Sequence, residues 1–134
     1  MYIVLLGPPG SGKGTQGKMF SKRFNIKHLS TGDLFRDILA NPDHKLYSEV
    51  QVVKEGKLVS DDVVNRVVED GIKKPEYKDG VIFDGYPRTV AQAAALDDML
   101  NAMGRRLDIV IDLQVSREVL LHRLLGRRLC PQCK

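Results

Sequence analysis

The chain has 134 residues, with 21 Lys and Arg against 17 Asp and Glu, and a net charge of +4. At 43% hydrophobic and 28% charged, it has the composition of one soluble globular domain, long enough to bury a core, and its longest apolar run is only about strand length, so no helical membrane span is expected. The charge favours an anionic partner, but the basic residues are dispersed among four Phe, four Tyr and no Trp, so a nucleic-acid partner is not expected.

An apolar run, Tyr2 to Leu6, opens the chain. No basic leader or cleavage site precedes it, so no secretory signal and a cytoplasmic location are expected. Gly7-Pro8-Pro9-Gly10-Ser11-Gly12-Lys13-Gly14-Thr15 follows, and a helical pattern then runs from Thr15 to Phe24. Strand, glycine-rich turn, Lys and helix make a phosphate loop. Glycines let backbone N–H groups curl around phosphate oxygens, the new helix points its positive end at the anion, and Lys13 adds a mobile charge. Gly14 stands where the general motif has Ser or Thr, and the hydroxyl comes one residue later, at Thr15.

A short strand is expected at Lys27–Leu29. Leu34 and Ile38 mark a helix; Leu46, Val50 and Val53 mark a second stripe, after a break at Asn41-Pro42-Asp43. Ser60-Asp61-Asp62 starts a helix whose apolar face is Val63, Val64, Val67, Val68 and Ile72. Val81–Phe83 is a strand ending in Asp84, and Leu96, Met99, Leu100 and Met103 line a helix that stops at Gly104. Ile109–Val115 is a strand, and Ser116 caps a last helix with Leu120, Leu121, Leu124 and Leu125 turned inward. Strands alternating with helices predict an α/β fold with a parallel sheet. The helical stretch from Ser30 to Val59 is expected to stand off that sheet as a small lobe, a candidate lid.

Two further stretches carry chemistry. Ser30-Thr31-Gly32-Asp33 opens a helix on which Arg36 should face away from the core; Thr31 and Asp33 could equally be helix caps. Asp84-Gly85-Tyr86-Pro87-Arg88-Thr89 ends a strand with a carboxylate that can help hold Mg²⁺, directly or through water. A sharp turn then delivers Arg88 to the carboxyl end of the sheet, where a guanidinium can fork onto phosphate.

Together with Gly56-Lys57-Leu58-Val59, Gln92 and Gly126-Arg127-Arg128, these signatures resemble the adenylate kinase family along the whole chain, and Gly14 is normal there. The resemblance implies a P-loop NTPase-type parallel sheet flanked by helices, with an NMP-binding lobe at residues 30–59 and the start of a lid at 126–134. It implies phosphoryl transfer from MgATP to AMP, giving two ADP, by a monomer. By family analogy, Gly10, Ser11, Gly12, Lys13, Gly14 and Thr15 hold ATP phosphates. Thr31, Arg36, Lys57, Leu58, Val59, Gly85, Tyr86, Pro87, Arg88 and Gln92 hold AMP, with Gln92 reading the adenine edge. Lys13, Arg88, Arg123 and Arg127 serve the transferring phosphoryl group, with Arg123 and Arg127 also facing ATP, and Asp84 serves Mg²⁺. His28, His44 and His122 are not expected to be catalytic.

Cys130 and Cys133 form a Cys-x2-Cys pair, half of a tetrahedral zinc site, and resemble the opening of the zinc-bearing lid of bacterial relatives. Structural zinc would need two further ligands; a local disulfide or two free thiols are the other readings. The family continues past this lid, so the chain is expected to be truncated or partly recorded. Its C-terminal strand and helix are then missing, and Ile109–Val115 is left with an open edge. A UMP or CMP kinase, a nucleotide-binding module without catalysis, and a GTPase switch are the rival readings. The last has no Asn-Lys-x-Asp guanine reader to support it.

Overall fold

The computed structural model describes residues 1–128; Cys130 and Cys133 lie outside the described residues. Four strands, β1 (Tyr2–Leu6), β2 (Lys27–Ser30), β3 (Val81–Asp84) and β4 (Ile109–Asp112), form one parallel sheet in the order β2-β3-β1-β4. Parallel neighbours require crossovers, and helices supply them. Helix α1 (Lys13–Phe24) joins β1 to β2. Between β2 and β3 come α2 (Thr31–Ala40), α3 (Tyr47–Val50), a 3₁₀ turn at Gln51–Glu55, α4 (Asp61–Ile72) and a second 3₁₀ turn at Pro75–Tyr77. Helix α5 (Val90–Ala102) joins β3 to β4, and α6 (Arg117–Leu125) follows. Among the described residues no helix is long and apolar enough to cross a membrane.

The central strands read as continuous apolar runs because both faces are covered. Ile3, Val4, Leu5, Val81, Ile82 and Phe83 are all at most 2% exposed. Alternate side chains go to opposite layers. Tyr2, Val4, Leu29, Val81 and Phe83 join Val67, Val68 and Ile72 of α4 and Leu96 and Leu100 of α5. Ile3, Leu5, Ile26 and Ile82 form the other layer, with Phe20 of α1 against them. Each fully buried Val, Leu, Ile or Phe contributes about 1.5–3 kcal/mol, and these layers hold β1 and β3 side by side. Their register sets Leu5 against Asp84, so both chains leave the sheet together at its carboxyl edge.

The expected caps form. Ser60 accepts the Val63 N–H and Ser116 the Val119 N–H. Four expectations need correction. Helix α1 begins at Lys13, two residues before Thr15, because Gly12 in the left-handed region (φ 100°) starts it. The last strand stops at Asp112 rather than Val115, since its partner β1 ends at Leu6. The helix over Leu46 and Val50 tightens into the 3₁₀ turn, and Val53 leaves the core, 37% exposed. Three of the four α6 leucines do not turn inward: Leu121, Leu124 and Leu125 are 49%, 41% and 78% exposed, while Leu120 is half-buried. Gly10 lies beside Leu120 and Leu124, so α6 meets the phosphate loop along only one edge of its stripe.

Candidate active site

Chain reversal after β1 demands glycine. Gly7, Gly10 and Gly12 have φ of 140°, 83° and 100°, where a Cβ is strained. No side chain caps α1, so its first N–H groups stay free of side-chain partners at the positive end of the helix, where residues 12–16 line a cleft. Lys13 Nζ folds back over the loop and donates to Gly7 O (2.7 Å) and Pro8 O (3.1 Å). A cleft of about 950 Å³ opens above, lined by Gly10 to Gln16, Asp84, Arg123 and Arg127. Arg123 Nη1 donates to Gly10 O and Ser11 O, each at 3.3 Å, which ties α6 to the loop. The buried Ser11 hydroxyl has no hydrogen-bond partner among the described residues.

Beside this loop lies the turn after β3. Gly85 (φ 80°) has Thr31 Oγ1 and Arg88 Nη2 so near that a Cβ there would meet them at 2.9 and 3.1 Å. Thr31 Oγ1 and Arg88 Nε both donate to Gly85 O, at 3.3 and 2.8 Å. Thr31 is thus buried against the turn; neither it nor Asp33, which pairs with Arg36, caps α2. The Tyr86–Pro87 peptide is cis. A second cavity of about 370 Å³ separates the two turns, lined on one side by Gly7, Pro9 and Lys13 and on the other by Gly85, Pro87 and Arg88.

A hydrogen-bonded network stands behind Arg88. Gln92, 4% exposed, accepts the Arg88 N–H and donates to Asp61. Tyr86 OH shares its single proton between Asn65 Oδ1 (2.7 Å) and Gln92 O (3.1 Å), and burial, with the Asp61 charge adding to it, pushes its hydroxyl up to about 12. Of the residues expected to hold AMP, Gly85, Pro87 and Arg88 line the second cavity, whereas Thr31, Arg36, Lys57, Leu58, Val59, Tyr86 and Gln92 line neither. The Arg36 side chain is 71% exposed, paired with Asp33 and close to Gly32, and Leu58 is 97% exposed.

Asp84 stands where a carboxylate could serve Mg²⁺ bound with phosphate, directly or through water. Its Oδ2 lies 3.2 Å from His28 Nε2, and the residue lines the phosphate-loop cleft. A Cβ on Gly14 would sit 3.8 Å from that same oxygen, so the carboxylate faces the start of α1. Among the described residues no three His, Cys, Asp or Glu side chains gather into a metal cage.

The family model for adenylate kinase matches residues 5–129, nearly the whole chain. The chain belongs to the adenylate kinase family. The adenylate kinase of Pseudothermotoga lettingae is 47% identical over 133 residues, covering 99% of this chain and 61% of the relative. The adenylate kinase of Moorella thermoacetica has the same identity and coverage. That of Anaeromyxobacter sp. (strain K) is 45% identical over 134 residues, covering 99% of this chain and 62% of the relative. The chain thus spans about three-fifths of the length of these curated adenylate kinases.

Against that family frame, two residues at the site carried no signal in the sequence. His28 reads as an ordinary strand residue until β2 is laid beside β3, which pairs it with Ile82 and brings its ring to Asp84. Asp61 reads as part of a helix start. Its meeting with Gln92, 31 residues on, exists only once α4 packs against α5.

Proposed function

We propose that the protein transfers a phosphoryl group reversibly from MgATP to AMP, giving two ADP, and so balances adenine nucleotides. One observation carries the reading. The phosphate loop with Lys13 and the Arg88 turn face each other across one cavity of about 370 Å³, which suits a triphosphate end meeting a monophosphate. Family membership supports the same chemistry.

The donor side is the loop from Gly10 to Thr15. Its N–H groups and the α1 dipole take phosphate oxygens, while Lys13 Nζ exchanges its carbonyl partners for the β- and γ-phosphates. Bound Mg²⁺ supplies charge neutralisation across the phosphates. Asp84 would hold that ion, directly or through water, with His28 fixing one carboxylate oxygen. Arg123 is already drawn to Gly10 and Ser11, and with Arg127 it lines the donor cleft.

The acceptor side is the turn from Gly85 to Arg88, with Gln92 reading the base and Thr31 behind Gly85. Arg88 presents a guanidinium for a bidentate phosphate contact. No general base is required: a nucleoside monophosphate has its second pKa near about 6 and is largely a dianion at neutral pH. The protein's task is alignment and charge stabilisation. Arg36 and Lys57–Val59 stand outside the cavity, which supports residues 30–59 as a lobe that closes to bring them in and exclude water. A monomeric, cytoplasmic protein belongs to the same proposal. Zinc at Cys130 and Cys133 would require two further ligands.

A coupled assay for ADP from MgATP with AMP, UMP and CMP, run beside intact mass, tests the reading. ADP formed fastest with AMP is the expected result. Faster turnover with UMP or CMP reassigns the acceptor. Binding of an ATP analogue with no ADP from any acceptor reduces the protein to a binding module.

A further inference from the structure

The buried carboxamide of Gln92 is held between two groups of opposite demand. Its Oε1 accepts the Arg88 backbone N–H at 2.7 Å, and its Nε2 donates to Asp61 Oδ1 at 2.7 Å. A backbone N–H can only donate and a carboxylate can only accept. Chemistry therefore dictates which way the amide points. Turning it over would set N–H against N–H and oxygen against carboxylate, two unsatisfied buried contacts. The carboxylate is itself fixed, since the Thr89 hydroxyl donates to Asp61 Oδ2 at 2.7 Å. The Gln92 backbone is held as well, by Tyr86 OH at its carbonyl and Thr89 Oγ1 at its N–H.

A primary carboxamide has two N–H donors and two acceptor sites. Here one of each is committed, leaving one donor and one acceptor. A 6-aminopurine offers a ring-nitrogen acceptor beside an amino donor, whereas a 6-oxopurine offers a ring N–H beside a carbonyl. An amide free to turn over matches either base. A locked amide matches only one.

We propose that Asp61 is a specificity-determining positioning residue: it locks the Gln92 amide in one sense, so that the acceptor site takes a 6-aminopurine and rejects a 6-oxopurine. This rests on the reading of Gln92 as the base reader given above. Asp61 does not touch the nucleotide; it acts by denying Gln92 the other orientation. Sites that leave buried polar groups unpaired against a wrong ligand discriminate strongly, so the loss should be large.

The test is calorimetric titration of AMP and IMP into the full chain, for the wild type and for Asp61→Asn, Asp61→Ser and Gln92→Ala. Asn and Ser both donate and accept, so either removes the obligate acceptor. Having two such variants keeps the test open if one fails to fold. The expected result is a fall of about tenfold or more in the ratio of IMP to AMP dissociation constants for both Asp61 variants, with faster hydrogen exchange at the Arg88 backbone amide. If Gln92→Ala collapses the ratio while a folded Asp61 variant keeps it, Asp61 is only a structural residue and the inference falls alone. If Gln92→Ala leaves the ratio unchanged, Gln92 does not read the base, and that reading falls together with the inference.

Discussion

His28 Nε2 lies 3.2 Å from Asp84 Oδ2, between neighbouring parallel strands, and Gly17 of α1 packs directly against the imidazole. A Cβ at Gly17 would come within 2.5 Å of His28 Cδ2 and 2.6 Å of its Nε2. Gly17 is helical and buried, so its lack of a side chain serves this close approach rather than an unusual φ.

Gly17→Ala is therefore expected to cost stability although Ala favours helix. Overpacking costs about 1–3 kcal/mol, more than the roughly 1 kcal/mol of helix propensity gained. The shifted imidazole should also release Asp84 and weaken the Mg²⁺ dependence of turnover. Urea unfolding and a Mg²⁺ titration of activity measure both. A more stable variant would show that His28 moves aside freely.

Lys13→Ala should leave the fold intact and nearly abolish phosphoryl transfer. Its bonds to Gly7 O and Pro8 O lie at the partly exposed rim of the loop, so stability should change by only about 1 kcal/mol. Turnover should fall about 10²–10³-fold or more, the scale of a lost transition-state charge contact. A steady-state rate close to wild type would refute the loop as the donor site.

Arg88→Ala should cost about 3 kcal/mol of transition-state stabilisation, read as kcat/KM. Its Nε bond to Gly85 O aims the guanidinium along the turn, so the loss should fall on kcat. A rise in the AMP KM with kcat unchanged would move Arg88 from chemistry to binding.

Asp70 links the lobe segment to α4. Lys45 pairs with it, His44 Nε2 lies 3.3 Å away, and the Lys45 hydrogen bond, outweighing partial burial, holds the carboxyl below its usual range. A carboxyl depressed in the folded state stabilises it above the unfolded-state value of about 3.9 and loses that contribution as pH falls through the folded value. The stability gap between wild type and Asp70→Asn should be at most about 1 kcal/mol near neutrality, should shrink as pH falls below the unfolded-state value of about 3.9, and should vanish once pH lies below the depressed folded value. Denaturant midpoints at a series of pH values check this. A gap that persists in acid would mean that Asp70 acts through packing rather than charge.

Much of this was legible in the chain because it is local. Gly7, Gly10 and Gly12 need positive φ wherever the strand must turn into a helix, and Lys13 follows at fixed spacing. Ser60 and Ser116 cap helices using N–H groups three residues away. The apolar runs of β1 and β3 announce strands buried on both faces. The leucines of α6 show where such reading fails. Periodicity marks a face as apolar, but which element covers that face is a tertiary matter, and Leu125 stays 78% exposed.

The sequence by itself determined the phosphate loop, the strand-ending Asp84, the arginine of the following turn and the family, because each is written in adjacent residues whose backbone geometry admits few alternatives. Tertiary structure alone decided that His28 meets Asp84, that Asp61 meets Gln92, and that Arg36 stands outside the cavity while Arg88 lines it. The physical reason is that the first two contacts join residues 56 and 31 positions apart. Strand register and the packing of α4 on α5 set such distances, and neither is encoded within a single segment.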